Sequence, residues 1–223
     1  SNTIAQKQKG YFAIGIKVLL GDFYTDKARL LADLIKNYGA NELRFSLRQN
    51  IVIRHIKEEN LPFFYQELSK FGFAELGHET IGDITACPGT DTCNLGIASS
   101  TGIAEELERV IKTEYPQYSN NKEIAIKISG CMNACGQHNM SEIGFQGMSI
   151  NSGKLVAPAL QVLLGGGILG NGEGRFSDKV IKIPSRRGPD ALRFILNDFE
   201  ENANGLSFLN YYDSKGEKYF YEF

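Results

Sequence analysis

The four cysteines of this 223-residue chain lie in two short clusters. Five residues separate Cys87 from Cys93, and three separate Cys131 from Cys135. Glycine and small polar residues surround both clusters, whereas a cysteine buried for packing would have apolar neighbours. Four thiolates held in loops are the ligand set of an iron–sulfur cubane, so these residues predict a 4Fe–4S cluster.

Zinc and disulfides are the alternative uses of these cysteines. Structural zinc prefers Cys-x2-Cys or Cys-x4-Cys spacing, which neither cluster has. Disulfides suit small secreted domains, whereas a chain of 223 residues buries a core without them. A radical-forming Cys-x3-Cys-x2-Cys site is excluded, because residues 136–140 contain no cysteine. The cubane is the preferred interpretation, and the first two alternatives stay open at this point.

Charge and hydropathy argue against several classes of function. Lys and Arg total 24 against 26 for Asp and Glu, and no charge block of the kind that binds nucleic acid or anionic lipid is present. The longest apolar run, 157–170, contains proline, glutamine and glycines, so it cannot span a bilayer. We therefore expect a cytoplasmic protein of one or two domains, with no nucleic-acid or membrane partner.

Apolar periodicity predicts a β-α-β-β-α order in the first part of the chain. The predicted elements are a strand at 14–20, a helix at 28–38, strands at 42–47 and 51–56, and a helix at 61–71 with Asn60 as its N-cap. This order is typical of a ferredoxin-like half-module.

The second part of the chain is predicted to form an α/β layer that carries the cysteines. The predicted elements are a helix at 94–112, strands at 124–128, 142–150, 159–164 and 179–183, and a helix at 189–201. In the first helix we expect the pairs Glu105–Arg109 and Glu108–Lys112. The first cysteine pair would lie where the chain enters that helix, and the positive end of the helix dipole favours thiolates there. The tyrosines and phenylalanines of the tail are predicted to form a strap packed on the body.

The residues around the cysteines resemble the nitrite and sulfite reductase family. The resemblance rests on Thr85-Ala86-Cys87-Pro88-Gly89 with Cys93 and Gly96, on the segment from Ile128 to His138, and on the segment from Glu142 to Phe145. It extends to Leu43–Ile53, which is similar to the Arg-x-Ser/Thr-x-x-Gln-Asn segment of the family, and covers roughly residues 10 to 200. Met132 departs from the family pattern, which usually has proline there, so the turn loses a fixed φ.

The resemblance implies the fold class and the domain limits. The fold would be α/β (α+β), with a ferredoxin-like half-domain followed by an α/β domain that binds sirohaem and a 4Fe–4S cluster. The expected domains are the half-domain at 1–72, the sirohaem and 4Fe–4S binding domain at 73–205, and the aromatic strap at 206–223.

The resemblance also implies the cofactors and the residues that hold them. Cys87, Cys93, Cys131 and Cys135 would ligate the cubane, and Cys135 would also bridge to the iron of sirohaem. Asn133 would donate to a cluster sulfur or a haem substituent, or would simply support its turn. Four residues of the half-domain would face the porphyrin carboxylates, and these are Arg44, Arg48, Gln49 and Asn50. Arg48 is not part of the family pattern, and a solvated turn residue is its alternative.

Three further features have a structural interpretation beside a functional one. His138 is more typical of a hydrogen-bonded structural histidine than of a proton donor. Lys127 lies on the polar face of its strand and would contact either an anion or water. The glycine-rich segment 165–174 lacks a Gly-Lys-Ser/Thr ending, so we interpret it as a loop near the haem edge and not as a phosphate cradle.

The function implied by the resemblance is the six-electron reduction of sulfite to sulfide or of nitrite to ammonia. Family members contain two repeats with sirohaem between them, and we find one repeat in this chain. We therefore expect a fragment that lacks the N-terminal repeat, the sirohaem and the catalytic residues, and that is inactive alone. Its expected partners are sulfite or nitrite and an electron donor such as ferredoxin or a flavoprotein.

Two hypotheses remain about how the chain works. The parent protein is either such a reductase or a stand-alone iron–sulfur electron-transfer or scaffold protein without a substrate site. The missing repeat also predicts a homodimer of the fragment. Its interface would use an apolar face of the half-domain that contains Tyr11, Phe12, Phe45, Phe63 and Phe64.

Overall fold

The computed structural model of the protein describes residues 2–39 and 42–222, except the side chain of Ser152. The chain forms two compact units, Ser1–Glu79 and Thr80–Phe223. Among the described helices, none has the length and hydrophobicity that crossing a membrane requires.

Within residues 2–39 and 42–79, four strands form one antiparallel sheet in the order β1-β2-β4-β3. The strands are β1 (Thr3–Ala5), β2 (Tyr11–Ile16), β3 (Leu43–Phe45) and β4 (Ile51–Lys57). The helices are α1 (Thr25–Tyr38) and α2 (Leu61–Lys70).

The helices of this unit bury an apolar stripe against alternate residues of the sheet. Ile16 on β2 and Ile53 on β4 pack in one core with Leu31 of α1 and Phe64 of α2. The alternating apolar residues of the strands and the helically spaced apolar residues of α1 and α2 therefore pack in a single core, as the sequence pattern requires. Phe64 is only 1% exposed, so the prediction that it belongs to the apolar dimer face is wrong.

Two local predictions in this unit are wrong. The strand predicted over 14–20 ends at Ile16, because Leu20 has a φ of +53° inside a short 3-10 turn. The side chain of Asn60 does not cap α2, since its own backbone is already helical and a short 3-10 turn precedes it. An N-cap residue needs an extended backbone for its side chain to reach back to the helix.

Within residues 80–222, five strands form a mixed sheet in the order β11-β8-β7-β6-β5. These strands are β5 (Thr85–Ala86), β6 (Ile126–Ser129), β7 (Ile143–Ser152), β8 (Leu155–Leu164) and β11 (Asp178–Pro184). A separate hairpin consists of β9 (Gly167–Ile168) and β10 (Gly174–Arg175). The helices are α3 (Ser100–Glu114), α4 (Gly188–Asn202), α5 (Phe208–Lys215) and α6 (Glu217–Tyr221).

The central strands of this sheet are parallel where the cysteines follow them. β5 pairs with β6 and β6 pairs with β7, both in parallel, whereas β7 and β8 form a long antiparallel hairpin. Ile126, Ile128 and Phe145 are completely buried in these strands. Helix α3 contacts β5, β6 and α4. The sheet and α3 therefore fix where the cysteine loops leave β5 and β6.

Helix α3 begins later than predicted. The segment 94–99 is a loop, and the helix starts at Ser100 with Ser99 as its N-cap, whose Oγ accepts a hydrogen bond from Gly102 N at 3.3 Å. The partner of Arg109 was also predicted wrongly, because its guanidinium contacts Glu106 one turn away.

The aromatic tail consists of the two short helices α5 and α6. Phe208, Tyr211, Tyr212 and Phe220 are buried, and α6 contacts β11. The Asp198 carboxylate of α4 accepts a hydrogen bond from Tyr219 Oη at 2.8 Å, and it also contacts the hydroxyl of Tyr211. Burial, followed by the contact with Asp198, raises the pKa of Tyr211. The tail thus packs on its own unit through buried aromatic rings and through tyrosine hydroxyls that donate to Asp198 and Asp178.

Candidate iron–sulfur site

The two cysteine pairs leave the carboxyl ends of adjacent parallel strands. Thr85 lies opposite Lys127, and Ala86 lies opposite Ile128. Cys87 is therefore the first residue after β5, and Cys131 comes two residues after the end of β6. Because parallel strands end at the same edge of a sheet, both loops start from one edge.

Hydrogen bonds join the two loops directly. Gly130 N donates to Cys87 Sγ at 3.2 Å, and Cys87 N donates to the carbonyl oxygen of Ile128 at 3.2 Å. The carbonyl oxygen of Gly130 accepts from Ile97 N at 2.9 Å and from Ala98 N at 3.1 Å. The residue before Cys131 is thus bound on both its donor and its acceptor side to the loop that carries Cys87 and Cys93.

Glycine is required where these two loops touch and where the first loop folds against itself. A Cβ atom on Gly130 would lie 2.6 Å from the Cα of Gly89 and 2.9 Å from the carbonyl oxygen of Ala98. A Cβ on Gly96 would lie 2.7 Å from the backbone of Gly89, which itself has a φ of +53°. These neighbours are backbone atoms, which cannot rotate away as a side chain can, so the close approach depends on the absence of side chains.

The loop of the second pair folds back onto β6. Ser129 Oγ accepts a hydrogen bond from Gly136 N at 3.0 Å, and a Cβ on Gly136 would lie 2.0 Å from the carbonyl oxygen of Ile128. Met132, at the turn between the two cysteines, is 77% exposed. Lys127, on the polar face of β6, donates a hydrogen bond from Nζ to Gln137 Oε1 at 2.9 Å.

All four cysteines are free thiols in the structure. Cys131 is buried and Cys87 is half-buried, whereas Cys93 and Cys135 are exposed. Cys87 Sγ lies 3.5 Å from the hydroxyl of Ser100, the first residue of α3. The predicted effect of the helix end on a thiolate is therefore supported for Cys87 by its contact with the first residue of α3.

This donor set fits a cubane. Four free cysteines sit in two loops that hydrogen bonds hold together, and a backbone N–H already donates to one of the sulfurs, as Fe–S sites commonly require. Across residues 2–39 and 42–222, no three His, Cys, Asp or Glu side chains converge on a point that one ion could fill. A cubane does not need such convergence, since each of its four irons takes its own thiolate.

The other predicted site residues have different surroundings. Asn133 is exposed in the turn between Cys131 and Cys135, and Arg44 is exposed on β3. Gln49 has a φ of +64° and Nε2 placed 3.5 Å from the carbonyl oxygen of Leu20. Their roles toward a cofactor stay predictions.

Asn50 is enclosed within the first unit. Its side chain is 0% exposed, and Oδ1 accepts a hydrogen bond from Val18 N at 2.9 Å. This bond ties the β3–β4 turn to the segment that follows β2, which gives Asn50 a structural role. Its predicted contact with a porphyrin carboxylate stays a prediction.

His138 follows the second cysteine loop and is buried, with 3% of its surface exposed. Burial lowers its pKa to about 4, against a smaller opposing effect of a hydrogen bond with Gln146. The imidazole is therefore neutral at pH 7, the state expected of a structural histidine.

Sequence reasoning missed Ser100 and Ser129, whose hydroxyls contact the cysteine loops. Ser100 Oγ donates to the carbonyl oxygen of Cys87 at 2.6 Å, and Ser129 Oγ accepts from Gly136 N. Both are contacts between positions that no local pattern links. The one available signal was the accumulation of small residues around the cysteines.

Comparison with known proteins agrees with this geometry. The ferredoxin-like half domain of nitrite/sulfite reductase matches residues 4–71, and the nitrite and sulphite reductase 4Fe-4S domain matches residues 77–208. The chain belongs to the nitrite and sulfite reductase family. The resemblance seen in the sequence is confirmed, and so is the fold class, a half-domain followed by a domain of the 4Fe–4S type.

Individual members of the nitrite and sulfite reductase family are similar to this chain over a part of their own length. The ferredoxin–nitrite reductase of Synechococcus elongatus is 29% identical over 169 residues, 72% of this chain and 31% of that protein. The assimilatory ferredoxin-dependent nitrite reductase of Haloferax mediterranei is 25% identical over 217 residues, 96% of this chain and 36% of that protein. The chain thus spans about a third of the length of these curated relatives.

Solved structures of the family share the fold. The NirA protein of Mycobacterium tuberculosis superposes with a TM-score of 0.79 at 22% identity, covering 96% of this chain and 40% of that one. Dissimilatory sulfite reductase I superposes with a TM-score of 0.77 at 10% identity, covering 95% of this chain and 68% of that one. At these identities the likeness concerns the fold alone.

Proposed function

We propose that this chain is the iron–sulfur part of a nitrite or sulfite reductase. Cys87, Cys93, Cys131 and Cys135 are the proposed ligands of its 4Fe–4S cluster. The observation that carries this proposal is the pair of hydrogen-bonded loops at the ends of β5 and β6, which bring a pair of thiolates from each strand to one sheet edge. The domain limits 1–72, 73–205 and 206–223 are part of the proposal.

Bound together, a cluster and a sirohaem would pass electrons to a substrate oxyanion. The part that the chain plays is to hold the thiolates and to moderate their charge. Gly130 N–H donates to Cys87 Sγ, and such donors lower the electron density on a ligating sulfur. Buried Cys131 is shielded from water, whereas exposed Cys93 and Cys135 lie where a partner or a second cofactor has access.

Sirohaem binding is proposed for the whole protein, with Cys135 as the shared thiolate. Arg44 and Asn133 are the better placed of the remaining residues, because both are exposed and carry N–H donors for carboxylates. Gln49 and Asn50 belong to the same proposal, although the Asn50 amide oxygen already accepts a buried hydrogen bond.

Nitrite or sulfite is the proposed substrate, reduced by six electrons, and ferredoxin or a flavoprotein is the proposed electron donor. Relatives support both substrates, since one is a ferredoxin–nitrite reductase of Arabidopsis thaliana and another is the sulfite reductase (ferredoxin) 2 of Mycolicibacterium paratuberculosis. An N-terminal repeat outside this chain, inactivity of the chain alone, a cytoplasmic location and a homodimer remain part of the proposal.

Anaerobic reconstitution tests the ligand assignment. The 223-residue chain should take up about four iron and four sulfide per molecule, with the visible absorption of a cubane. Cys131→Ser should take up little of either, because the chain has no spare thiol. Thr90→Ser, an exposed change in the first loop, is the matched control and should behave as the wild type. Normal iron and sulfide content in Cys131→Ser would contradict the proposal.

A further inference from the structure

Lys127 lies in the middle of β6, between its parallel neighbours β5 and β7. It is opposite Thr85 on one side and Gly144 on the other. Lys127 precedes Cys131 by four residues, and its hydrogen-bond acceptor Gln137 follows Cys135 by two. The bond from Lys127 Nζ to Gln137 Oε1, 2.9 Å long, therefore closes the loop that carries both cysteines.

Gln137 is held firmly enough to transmit this contact. Its backbone is left-handed, with a φ of +58°, and its N–H donates to the carbonyl oxygen of Ala134 at 2.8 Å. Its own carbonyl oxygen accepts from Met140 N at 2.9 Å. Because a left-handed backbone is costly outside glycine, a side-chain contact that stabilises it has a clear structural effect.

The Lys127 ammonium also places a positive charge on the loop that carries Cys131 and Cys135. Its acceptor Gln137 is two residues from Cys135 in the chain. Lys127 is partly buried, and partial burial weakens the screening of a charge by salt.

We propose that Lys127 is a positioning residue for the cluster: through Gln137 it fixes the loop of Cys131 and Cys135, and it holds a positive charge near their thiolates. This inference rests on the proposed function. Iron–sulfur potentials depend on charge and hydrogen bonding around the cluster, so loss of this cation makes reduction harder. Outer contacts of this kind also contribute to metal retention.

Three substitutions separate the hydrogen bond from the charge. Lys127→Met removes both, Lys127→Arg keeps the charge and a donor, and Gln137→Met removes the acceptor and leaves the charge. Lys182→Met is the matched control, because Lys182 is an exposed strand lysine on β11.

The first measurement uses the metal-free chain, so it does not depend on cluster binding. Amide hydrogen exchange at Gly136 and Gln137 should become about tenfold faster in Lys127→Met and Gln137→Met, the loss of a contact worth about 1.4 kcal/mol. Exchange at Cys93 N, in the other loop, is the internal reference. Unchanged exchange in both variants would overturn the positioning role.

The second measurement uses the reconstituted chain. Iron loss to a chelator should be about tenfold faster or more in Lys127→Met and Gln137→Met. The midpoint potential, followed by electron paramagnetic resonance, should fall in Lys127→Met and stay near the wild-type value in Lys127→Arg. An unshifted potential in Lys127→Met would overturn the electrostatic role. A wild-type chain that binds no cluster would instead contradict the proposed function, and the exchange measurement would still decide the positioning role.

Discussion

The sulfur of Cys87 accepts a hydrogen bond from the main-chain N–H of Gly130, the residue immediately before Cys131, at a distance of 3.2 Å. One thiol of the first pair is thereby positioned by the backbone that presents the second pair. The donor is a backbone group, so the contact does not depend on any side-chain rotamer of the second loop. It depends instead on how closely the two backbones approach.

Gly130→Ala should disrupt this approach. Its Cβ would lie 2.6 Å from the Cα of Gly89, and backbone atoms must shift to accommodate it. We expect a loss of about 1–3 kcal/mol in the free energy of unfolding and a lower cluster content after reconstitution. Urea unfolding and iron analysis measure the two effects.

Gly170→Ala is the matched control for this change. No atom lies within 4 Å of a Cβ at Gly170, and its φ is not positive, so stability and cluster content should stay within error of the wild type. Equal behaviour of the two alanine variants would show that the close approach at Gly130 is not required.

Asn50→Ala should destabilise the first unit. The change removes the only acceptor that the structure gives for Val18 N in the described residues and leaves a buried N–H, at a cost of about 1–3 kcal/mol. Differential scanning calorimetry of the metal-free chain would show this as a lower Tm. The control is Asn210→Ala at an exposed position of α5, which should change the free energy of unfolding by less than about 0.5 kcal/mol. An unaltered Tm in Asn50→Ala would refute the structural role.

His138 should make stability depend on pH in the acid range. Its pKa is about 4 in the folded chain and 6.5 when unfolded, so the unfolded chain binds more protons between these values. Stability therefore falls as the pH drops from 6.5 to 4, by up to about 3 kcal/mol from this residue. Urea unfolding across this range should show a shallower pH dependence in His138→Gln. An unchanged slope in His138→Gln would contradict this prediction.

Asp198 should hold the aromatic tail through the tyrosine hydroxyls. Asp198→Ala leaves the buried Tyr211 hydroxyl without this acceptor and should cost about 2–3 kcal/mol. Tyr219→Phe should cost about 1 kcal/mol, since Tyr219 is only half-buried. Tyr221→Phe is the control, because this ring is exposed. Trypsin cleavage after Lys215 and Lys218 should accelerate in the order of these losses, and equal rates in all variants would argue against the role.

Hydrophobic periodicity predicted the strands and helices that bury one apolar face in a core. Strand β4 alternates and α1 repeats at helical spacing, so their existence follows from burial alone. Strands β7 and β8 were also predicted, but their pairing as a hairpin was not, and both are longer than expected because pairing between them continues where neighbouring strands end. A local sequence pattern is therefore sufficient to predict that such a strand or helix exists.

Tertiary contacts decided the positions that the sequence pattern missed. The segment 94–99 has helix-compatible residues, yet Ile97 N and Ala98 N donate to Gly130 across the sheet edge. Asn50 was expected to face a porphyrin carboxylate, whereas it is buried and accepts a hydrogen bond from Val18, which is 32 residues away. The four cysteines were identified from spacing and surroundings, whereas the glycine contacts that join their loops exist only between distant backbones.

The edge strand β5, which leads to Cys87, has only two residues and is paired on one side, whereas β6, which leads to Cys131, is paired on both sides. This difference in pairing between β5 and β6 predicts an order in which the two cysteine pairs of the proposed site assemble. In the proposed site, the second pair would be in place as soon as the sheet forms, and it would present two thiolates to incoming iron. The first pair would reach its final position only when β5 docks. Iron captured by Cys131 and Cys135 would thus precede closure by Cys87 and Cys93, and disassembly would begin from the β5 side.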